Sequence, residues 1–527
     1  MTSQSNKKPT HHFARYRQIA LVLVKYRLGD LLKSFGLEKF APLRFIPAVP
    51  GLRMKETYTK PERIRFAMEE LGTTFVKVGQ ILSARTDLVP AEYTHELAKL
   101  TDSLTPLNVE IVKQVIISEL KKPVEELFAS FDPIPVGVAS IGQAHSATLK
   151  DGTEVIVKVR KPGVVEQVEG DLEILHNLAA PAGRNWKGAE FYDLVGIEEE
   201  LAETLMAEMD YIREGKNAEH FAQFFSNDPT IHIPKIYWDY TTTRVITLER
   251  IRGIGIFDAE GLKKAGFDCT ELAKRTANIW LKMVFEGEVF HADPHPGNLF
   301  VEPDGRLGLI DFGMVGFISE EVRDHLANAV KGILDRDADM LVDSLIDLGA
   351  VPHVSRDILR KDIQHVLSHY PVTAVELSSS SNLGELLDIV RRNGVQLPGN
   401  TFLLLKTMAM AQGLTRNLDP KLDYLKTIEP YVKAVIEKRY SAGALIRRVP
   451  SAVSELAIWG ADIPKRLNRI LRSVELGELS FRADMPDLEG HIEHLEKIVN
   501  RLLIGFIVVA IVIGGAIGVA AYALLTR

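Results

Sequence analysis

The sequence predicts an α+β protein in which a small sheet-bearing lobe joins a helical lobe, with helical additions on either side and a membrane helix at the end. Three observations carry this. Short β-branched runs flank a turn in PIPVGVASIGQAHSATLKDGTEVIVKVRKPG, apolar residues recur at helical spacing before it and over most of the chain after it, and 24 apolar residues run unbroken from Leu502 to Leu525. The 527 residues include one cysteine, Cys269, so an internal disulfide and a cysteine-based zinc site are excluded. With 63 Lys+Arg against 70 Asp+Glu, the net charge of −7 offers no basic surface for phosphate backbones, and no nucleic-acid partner is expected. A 46% hydrophobic and 25% charged composition excludes global disorder.

Residues 1–60 form a basic N-terminal region. Its first acidic residue is Asp30, preceded by Lys7, Lys8, Arg15, Arg17, Lys25 and Arg27. Such a start fits a transit peptide or an amphipathic helix on anionic lipid, and the apolar stretch Ile19 to Val24 favours the lipid-facing helix. Residues 61–125 read as helices. Residues 126–255 contain the hairpin centred on Lys150-Asp151-Gly152, a helical stretch from about 164 to 224, and the strand-like runs IHIPKIYWDY and TTTRVITLERI. Residues 256–375 make the helical lobe. VELSSSSN, from Val375 to Asn382, marks a loop, and 376–500 read as almost entirely helical.

The apolar run, assigned as a membrane helix over 501–525, spans about 36 Å at about 1.5 Å per residue, against a hydrocarbon core of about 30 Å. One crossing is expected, since a hairpin broken at Gly514-Gly515 would leave two arms too short to cross. Lys497 and Arg501 place the bulk of the chain on the cytoplasmic side, as a tail-anchored protein of a bacterial inner membrane in preference to a mitochondrial one. Membrane lipids are expected partners, and Gly514 with Gly518 permits helix pairing in a homodimer.

Chemistry concentrates in two places. Lys158 lies on the strand EVIVKVR, on the opposite side from Val155, Val157 and Val159. A lysine on an inward face needs an anionic partner, and phosphate is one candidate. The preceding Val136-Gly137-Val138-Ala139-Ser140 lacks bulk, so backbone N–H groups there could approach phosphate oxygens. The segment FHADPHPGNLFVEPDGRLGLIDFGMVG is more specific: Asp293, Asn298 and Asp311 supply, in order, an aspartate for the attacking group and an Asn and Asp for Mg²⁺ on phosphates. His291 and His295 are not read as zinc ligands, because Pro294 and Pro296 prevent the helix that would align them. Lys77, Gly79 and Gln80 in FVKVGQILSAR, and Glu208, Asp210 and Glu214 in AEMDYIREGKN, show a charge pattern that by itself reads as a solvated helix face.

From about Pro61 to Phe317 the chain resembles the UbiB/AarF family of atypical protein-kinase-like proteins, through LGTTFVKVGQILSARTDLVP, ASIGQAH, VIVKVRKPGV, EMDYIREGKN, HADPHPGNLF and LIDFG. The resemblance implies a bilobal kinase-like fold, with its N-lobe over 126–255, its C-lobe over 256–375, and a KxGQ helix laid over the active site. It implies ATP and Mg²⁺ as cofactors. Val136, Gly137, Val138, Ala139, Ser140, Ile141, Gly142, Gln143, Ala144 and Lys158 would hold the nucleotide, and Lys158 would pair with Glu214. Asp293 would be catalytic, Asn298 and Asp311 would ligate the metal, and Lys77 and Gln80 would face Glu208 and Asp210 where a peptide substrate would otherwise sit. Gly137 and Val138 depart from the family's alanine-rich loop. The activity implied is that of an ATPase or small-molecule kinase supporting ubiquinone or related isoprenoid-lipid biosynthesis, with a quinone-lipid precursor and quinone-biosynthesis enzymes as partners. A small-molecule kinase of the aminoglycoside or choline kinase type, and a nucleotide-binding pseudokinase scaffold, are the alternatives.

Overall fold

The computed structural model describes residues 9–40, 58–85, 88–100, 106–185, 194–350, 355–369, 393, 395 and 397–440. Its first sheet has the order β1 (Phe128–Val138), β2 (Gly142–Leu149), β3 (Glu154–Arg160), then the later strand Val245–Glu249, each pair antiparallel. The predicted Lys150-Asp151-Gly152 turn closes β2 onto β3. There Gly152 takes φ +90° and donates to the Leu149 carbonyl at 3.0 Å, a conformation suited to a residue without Cβ.

The two sides of this sheet differ, as the alternation in EVIVKVR requires. Val155, Val157 and Val159 are fully buried against Val112 and Ile116 of the helix Val109–Leu120, along with Ala147 and Leu149 of β2. Burial of such side chains stabilises by about 1.5–3 kcal/mol each. On the other side, Ala144, Lys158 and Ile246 stand in register across three strands.

The stretch read as helical from about 164 to 224 is three helices, Val164–Asn185, Leu194–Glu208 and Tyr211–Phe224. The run IHIPKIYWDY is strand only over β4 (Ile231–His232). Pro234 has no N–H to give a ladder, and the chain continues as a single bridge at Ile236 and a short helical turn, Trp238–Tyr240. With the strand Val245–Glu249 taken as β5, the remaining strands are β6 (Ile254–Gly255), β7 (Val289–His291), β8 (Leu299–Val301), β9 (Leu307–Leu309) and β10 (Val315–Phe317). They form the sheets β4-β9-β8-β6 and β10-β7.

Beneath these strands the helix Cys269–Glu286 is buried along most of its length, through Leu272, Ile279, Trp280, Met283 and Val284. The helix Gly399–Leu418 adds Leu404, Met408 and Ala411 to the same core. The helical region after the second lobe is thereby built into the lobe's interior.

The N-terminal helix Pro9–Lys25 corrects one expectation. Its apolar residues Ile19, Ala20, Val22 and Leu23 are buried against Ala67, Leu71, Ile174 and Leu178, so that side faces protein and not lipid. Two of its cations are engaged with protein too: Arg15 bonds Asp171 at 2.7 Å and Lys25 bonds Glu70 at 2.6 Å. No helix of the described residues is long and apolar enough to cross a membrane. The expected span at 501–525, the Gly514–Gly518 pairing motif, the 375–382 loop and the helices expected beyond residue 440 lie outside the described residues.

Candidate active site

The site is assembled from short local devices. In the sequence AEMDYIREGKN, Asp210 is the N-cap of the helix Tyr211–Phe224, its Oδ1 accepting from the N–H groups of Ile212 at 3.0 Å and Arg213 at 3.4 Å. Glu214, one turn in, is thereby carried under the sheet, where it is buried. Lys158 reaches it from β3: Nζ lies 2.6 Å from Glu214 Oε1 and 3.3 Å from Asp311 Oδ2. One ammonium thus meets two carboxylates from two different lobes. Burial pushes Glu214 above its ordinary pKa, Lys158 only partly offsetting it. Burial acts upward on Asp311 also, but the Lys158 ammonium and the Gly313 N–H, donating to Oδ1 at 2.9 Å, outweigh it and bring that carboxyl down to about 2. Lys158 is itself held charged well above the usual lysine range, its two carboxylates overriding the cost of burial.

The loop after β7 places the second half. Asn298 Nδ2 donates to Asp293 Oδ2 at 3.2 Å, which fixes the aspartate and leaves the Asn298 side-chain oxygen for another partner. The Ile310 N–H donates to the Asn298 carbonyl at 3.1 Å, tying the ends of β8 and β9 so that Asn298 and Asp311 are neighbours. His291 is an organiser here. Its Nδ1 accepts from the Asp293 N–H at 3.2 Å, so the neutral ring carries its proton on Nε2 and donates it to the Asp311 carbonyl. Burial, which lowers its pKa, agrees with that neutral form. His295 accepts from the Gly297 N–H at 3.0 Å and closes the turn. Both histidines are thus engaged in hydrogen bonds of the loop itself. A cation at Asn298 and Asp311 would draw its remaining oxygens from phosphates and water, which is the habit of Mg²⁺.

The small-residue loop is the tip of the β1–β2 hairpin. Gly137 pairs with Ala144 and Val138 with Gln143, and the Ala139 N–H donates to the Gly142 carbonyl at 2.8 Å. Val136 and Gly137 are exposed and Ser140 is buried. Gly142 has a steric reason: a Cβ there would meet Tyr211 Oη at 2.5 Å and the Val159 carbonyl oxygen at 2.7 Å. Gln143 departs from its expected role. Its side chain lies on the valine side of the sheet, where Oε1 accepts from the Leu107 N–H at 2.8 Å and Nε2 meets His145 at 2.7 Å, so the period-two alternation takes it away from the cleft.

The KxGQ segment is the helix Thr73–Ala84, entered through Gly72 at φ +94°. Lys77 Nζ lies 2.9 Å from Glu208 Oε2, so this expected pair is present. Gln80 and Asp210, expected on the same facing elements, each bond within their own surroundings. Gln80 Nε2 donates to the Leu100 carbonyl at 3.0 Å, while Asp210 caps its helix, because each polar group is satisfied locally. Gly79 lies close under Leu100 and Met68, and Val78 packs near Ile141 of the hairpin tip.

Other contributors were not legible as site residues. Asn217 Nδ2 donates to the Phe312 carbonyl at 2.9 Å, and Phe312 packs against Phe221 and His291, fixing the Asp311-Phe312-Gly313 turn. Thr407 Oγ1 lies 2.8 Å from the Leu403 carbonyl oxygen and 3.2 Å from that of Ala292, beside Asp293. Lys406, next to Thr407, has its pKa lowered by burial against the opposing influence of Asp293. The one available signal was a single charge inside the apolar stretch FLLLKTMAMA.

Residues 99–345 match the ABC1 atypical kinase-like domain and residues 366–423 match the UbiB helical domain. A probable protein kinase UbiB of Xanthomonas euvesicatoria pv. vesicatoria is 32% identical over 520 residues, 95% of this chain and 93% of the relative. One of Marinobacter nauticus is 32% identical over 468 residues, 87% and 85% of the two chains. An uncharacterized protein of Synechocystis sp., sll1770, is 33% identical over 426 residues, 80% and 73% of the two chains. Among solved structures, the complex of Rv3197 with erythromycin from Mycobacterium tuberculosis matches at 25% identity and a TM-score of 0.48, over 72% of this chain and 94% of that one. With a kinase-like α+β lobe pair, a helical region after it and relatives of this kind along nearly its whole length, the chain belongs to the UbiB family of atypical kinase-like proteins.

Proposed function

We propose that the protein binds Mg-ATP and transfers its terminal phosphoryl group to water or to a small acceptor, at a membrane, in support of ubiquinone biosynthesis. The observation that carries the chemistry is Lys158 held between Glu214 at 2.6 Å and Asp311 at 3.3 Å, with Asp293 and Asn298 in the adjoining loop. Lys158 would engage the nucleotide's α- and β-phosphates, and the hairpin tip would approach them through its backbone. Mg²⁺ at Asn298 and Asp311 would neutralise charge on the phosphates. The acceptor oxygen attacks the γ-phosphorus and passes its proton to Asp293, while the bond to the bridging oxygen breaks and that oxygen leaves on ADP with the electron pair.

The limit to water or a small acceptor rests on the Lys77–Glu208 pair, which ties the KxGQ helix to the helix Leu194–Glu208. The membrane reading rests on the apolar run at 502–525, and the quinone-lipid reading on the family's motifs. The test is Asp311→Asn in a magnesium titration of ATP affinity. Magnesium should strengthen ATP binding to the wild type and have little effect on the variant, which has lost the anionic metal ligand. Equal affinities across the titration would sink the metal assignment.

A further inference from the structure

We propose that Lys406, carried on the helix Gly399–Leu418 outside the two lobes' shared motifs, is the cation that contacts the oxygens of the terminal phosphoryl group of the bound nucleoside triphosphate. The inference rests on the Mg-ATP reading above and adds to it a catalytic residue from the helical region.

Two rows of contacts on this helix fix where Lys406 stands. One row runs through Leu403 and Thr407. Thr407 Oγ1, whose single proton has the Leu403 carbonyl at 2.8 Å as its nearer acceptor, lies 3.2 Å from the carbonyl oxygen of Ala292, so this face lies on the backbone immediately before Asp293. The other row holds Phe402, one helical turn before Lys406 and buried, with the Arg85 guanidinium 4.8 Å above its ring. Phe402 itself packs among Leu341, Leu345 and Leu359, and Arg85, which ends the KxGQ helix and pairs with Glu200 at 2.7 Å, is the point where the KxGQ extension reaches this side. Residues three and four apart share a helix face. Lys406 is three residues beyond Leu403 and four beyond Phe402, which places it between the catalytic loop on one side and the KxGQ extension on the other.

That is an uncomfortable place for an ammonium. Lys406 is partly buried, on a helix whose neighbouring positions Leu404, Thr407 and Met408 are buried, and Asp293 is the charge that acts on it among the described residues. A buried cation retains its charge where an anion compensates it. Asp293 alone supplies one negative charge, and Asn298 already holds one of that carboxylate's oxygens. The transferred phosphoryl group must pass beside Asp293, and its equatorial oxygens carry the charge that a fixed cation stabilises. Lys158 is committed on the far side of the cleft to Glu214 and Asp311. Lys406 thus supplies on the acceptor side what Lys158 supplies on the nucleotide side.

The test compares ATP with ADP, which differ by the group that Lys406 would touch. Affinities of purified full-length protein for both nucleotides, at one fixed magnesium concentration, are measured for wild type, Lys406→Met, Lys406→Gln and Lys406→Arg, with thermal stability alongside. Loss of a charge-assisted hydrogen bond should weaken ATP binding by about tenfold or more in the Met and Gln variants, with ADP binding within about twofold of wild type. Arg should restore most of the ATP affinity. An ATP-to-ADP affinity ratio equal to that of the wild type in a folded Met or Gln variant overturns the assignment of Lys406 and leaves the Mg-ATP reading standing. Equal weakening for both nucleotides overturns it as well, since that is the mark of a structural role. A wild type that binds neither nucleotide overturns both.

Discussion

Two lysine–glutamate pairs in this protein are nearly matched by distance and exposure yet differ in kind. Lys158 and Glu214 meet at 2.6 Å with side chains 18% and 9% exposed; Lys77 and Glu208 meet at 2.9 Å with 19% and 13%. The difference lies in the charge each place must balance. Beside Lys158 stands a second carboxylate, Asp311, at 3.3 Å, so one cation faces two anions and the cluster favours a further cation. Between Lys77 and Glu208 one cation meets one anion, and their bond joins the KxGQ helix to the helix that leads into Asp210 and Glu214. A charge-imbalanced cluster is suited to taking up a metal and phosphates, and a balanced pair is suited to closing two elements together.

The contrast is strained hardest by Lys158→Met, which leaves Glu214 and Asp311 facing each other. The expected loss is about 3 kcal/mol of stability, moderated because Glu214 can take a proton, together with a fall in ATP affinity of about 100-fold. The pH dependence has a definite sign. Glu214 already has a folded pKa raised above 4.5 by burial, so between 4.5 and that raised value the folded state binds more protons than the unfolded one. Its contribution to stability therefore falls as pH rises through that window, and losing Lys158 extends the window upward. The melting temperature of Lys158→Met should approach that of the wild type on acidification from neutral pH, as Glu214 takes up its proton in the folded state. A constant gap on acidification would show that Glu214 keeps one protonation state.

An intermediate effect is expected at the balanced pair. Lys77→Ala and Glu208→Ala should each cost about 1–2 kcal/mol, since water reaches part of both side chains, and the double variant should cost less than the sum by about 1 kcal/mol. Denaturant unfolding of the three variants measures this coupling. Strict additivity would detach Lys77 from Glu208 in solution and remove the ground for small acceptors.

The smallest effect is expected from Gly79→Ala. The new Cβ would overlap Leu100 Cδ1 and lie 2.8 Å from Met68 Sδ, so those side chains must shift. Overpacking of about 1–3 kcal/mol is set against a gain of about 1 kcal/mol in helix propensity. A net loss near 1 kcal/mol in unfolding, with ATP affinity unchanged, would keep the extension and the phosphate site separate; an affinity change larger than that of Lys77→Ala would merge them.

Much was legible in the chain because local chemistry decided it. The alternation in EVIVKVR put Lys158 on the opposite face from three valines, the Lys150-Asp151-Gly152 turn closed where a glycine permits φ +90°, and HADPHPGN with LIDFG forecast the loops that hold Asp293, Asn298 and Asp311. Less was legible where one pattern admits two partners. Gln80 and Asp210 were placed on facing elements, and their own bonds go to a backbone carbonyl and a helix N-terminus. The N-terminal helix looked lipid-facing because an apolar stripe is the same whether protein or lipid covers it, and Ala67, Leu71, Ile174 and Leu178 cover it.

What the sequence determined by itself is therefore the set of elements and the short motifs, since hydrogen-bonding turns, caps and strand alternation act over a few residues. What only the tertiary structure decided is which distant groups share a charge environment. Lys158 meets Asp311 across 153 positions, Arg85 settles over Phe402, and Thr407 comes to the Ala292 carbonyl across 115 positions. The last two depend on how the helix Gly399–Leu418 buries its apolar residues against Cys269–Glu286, a packing outcome that no local pattern encodes.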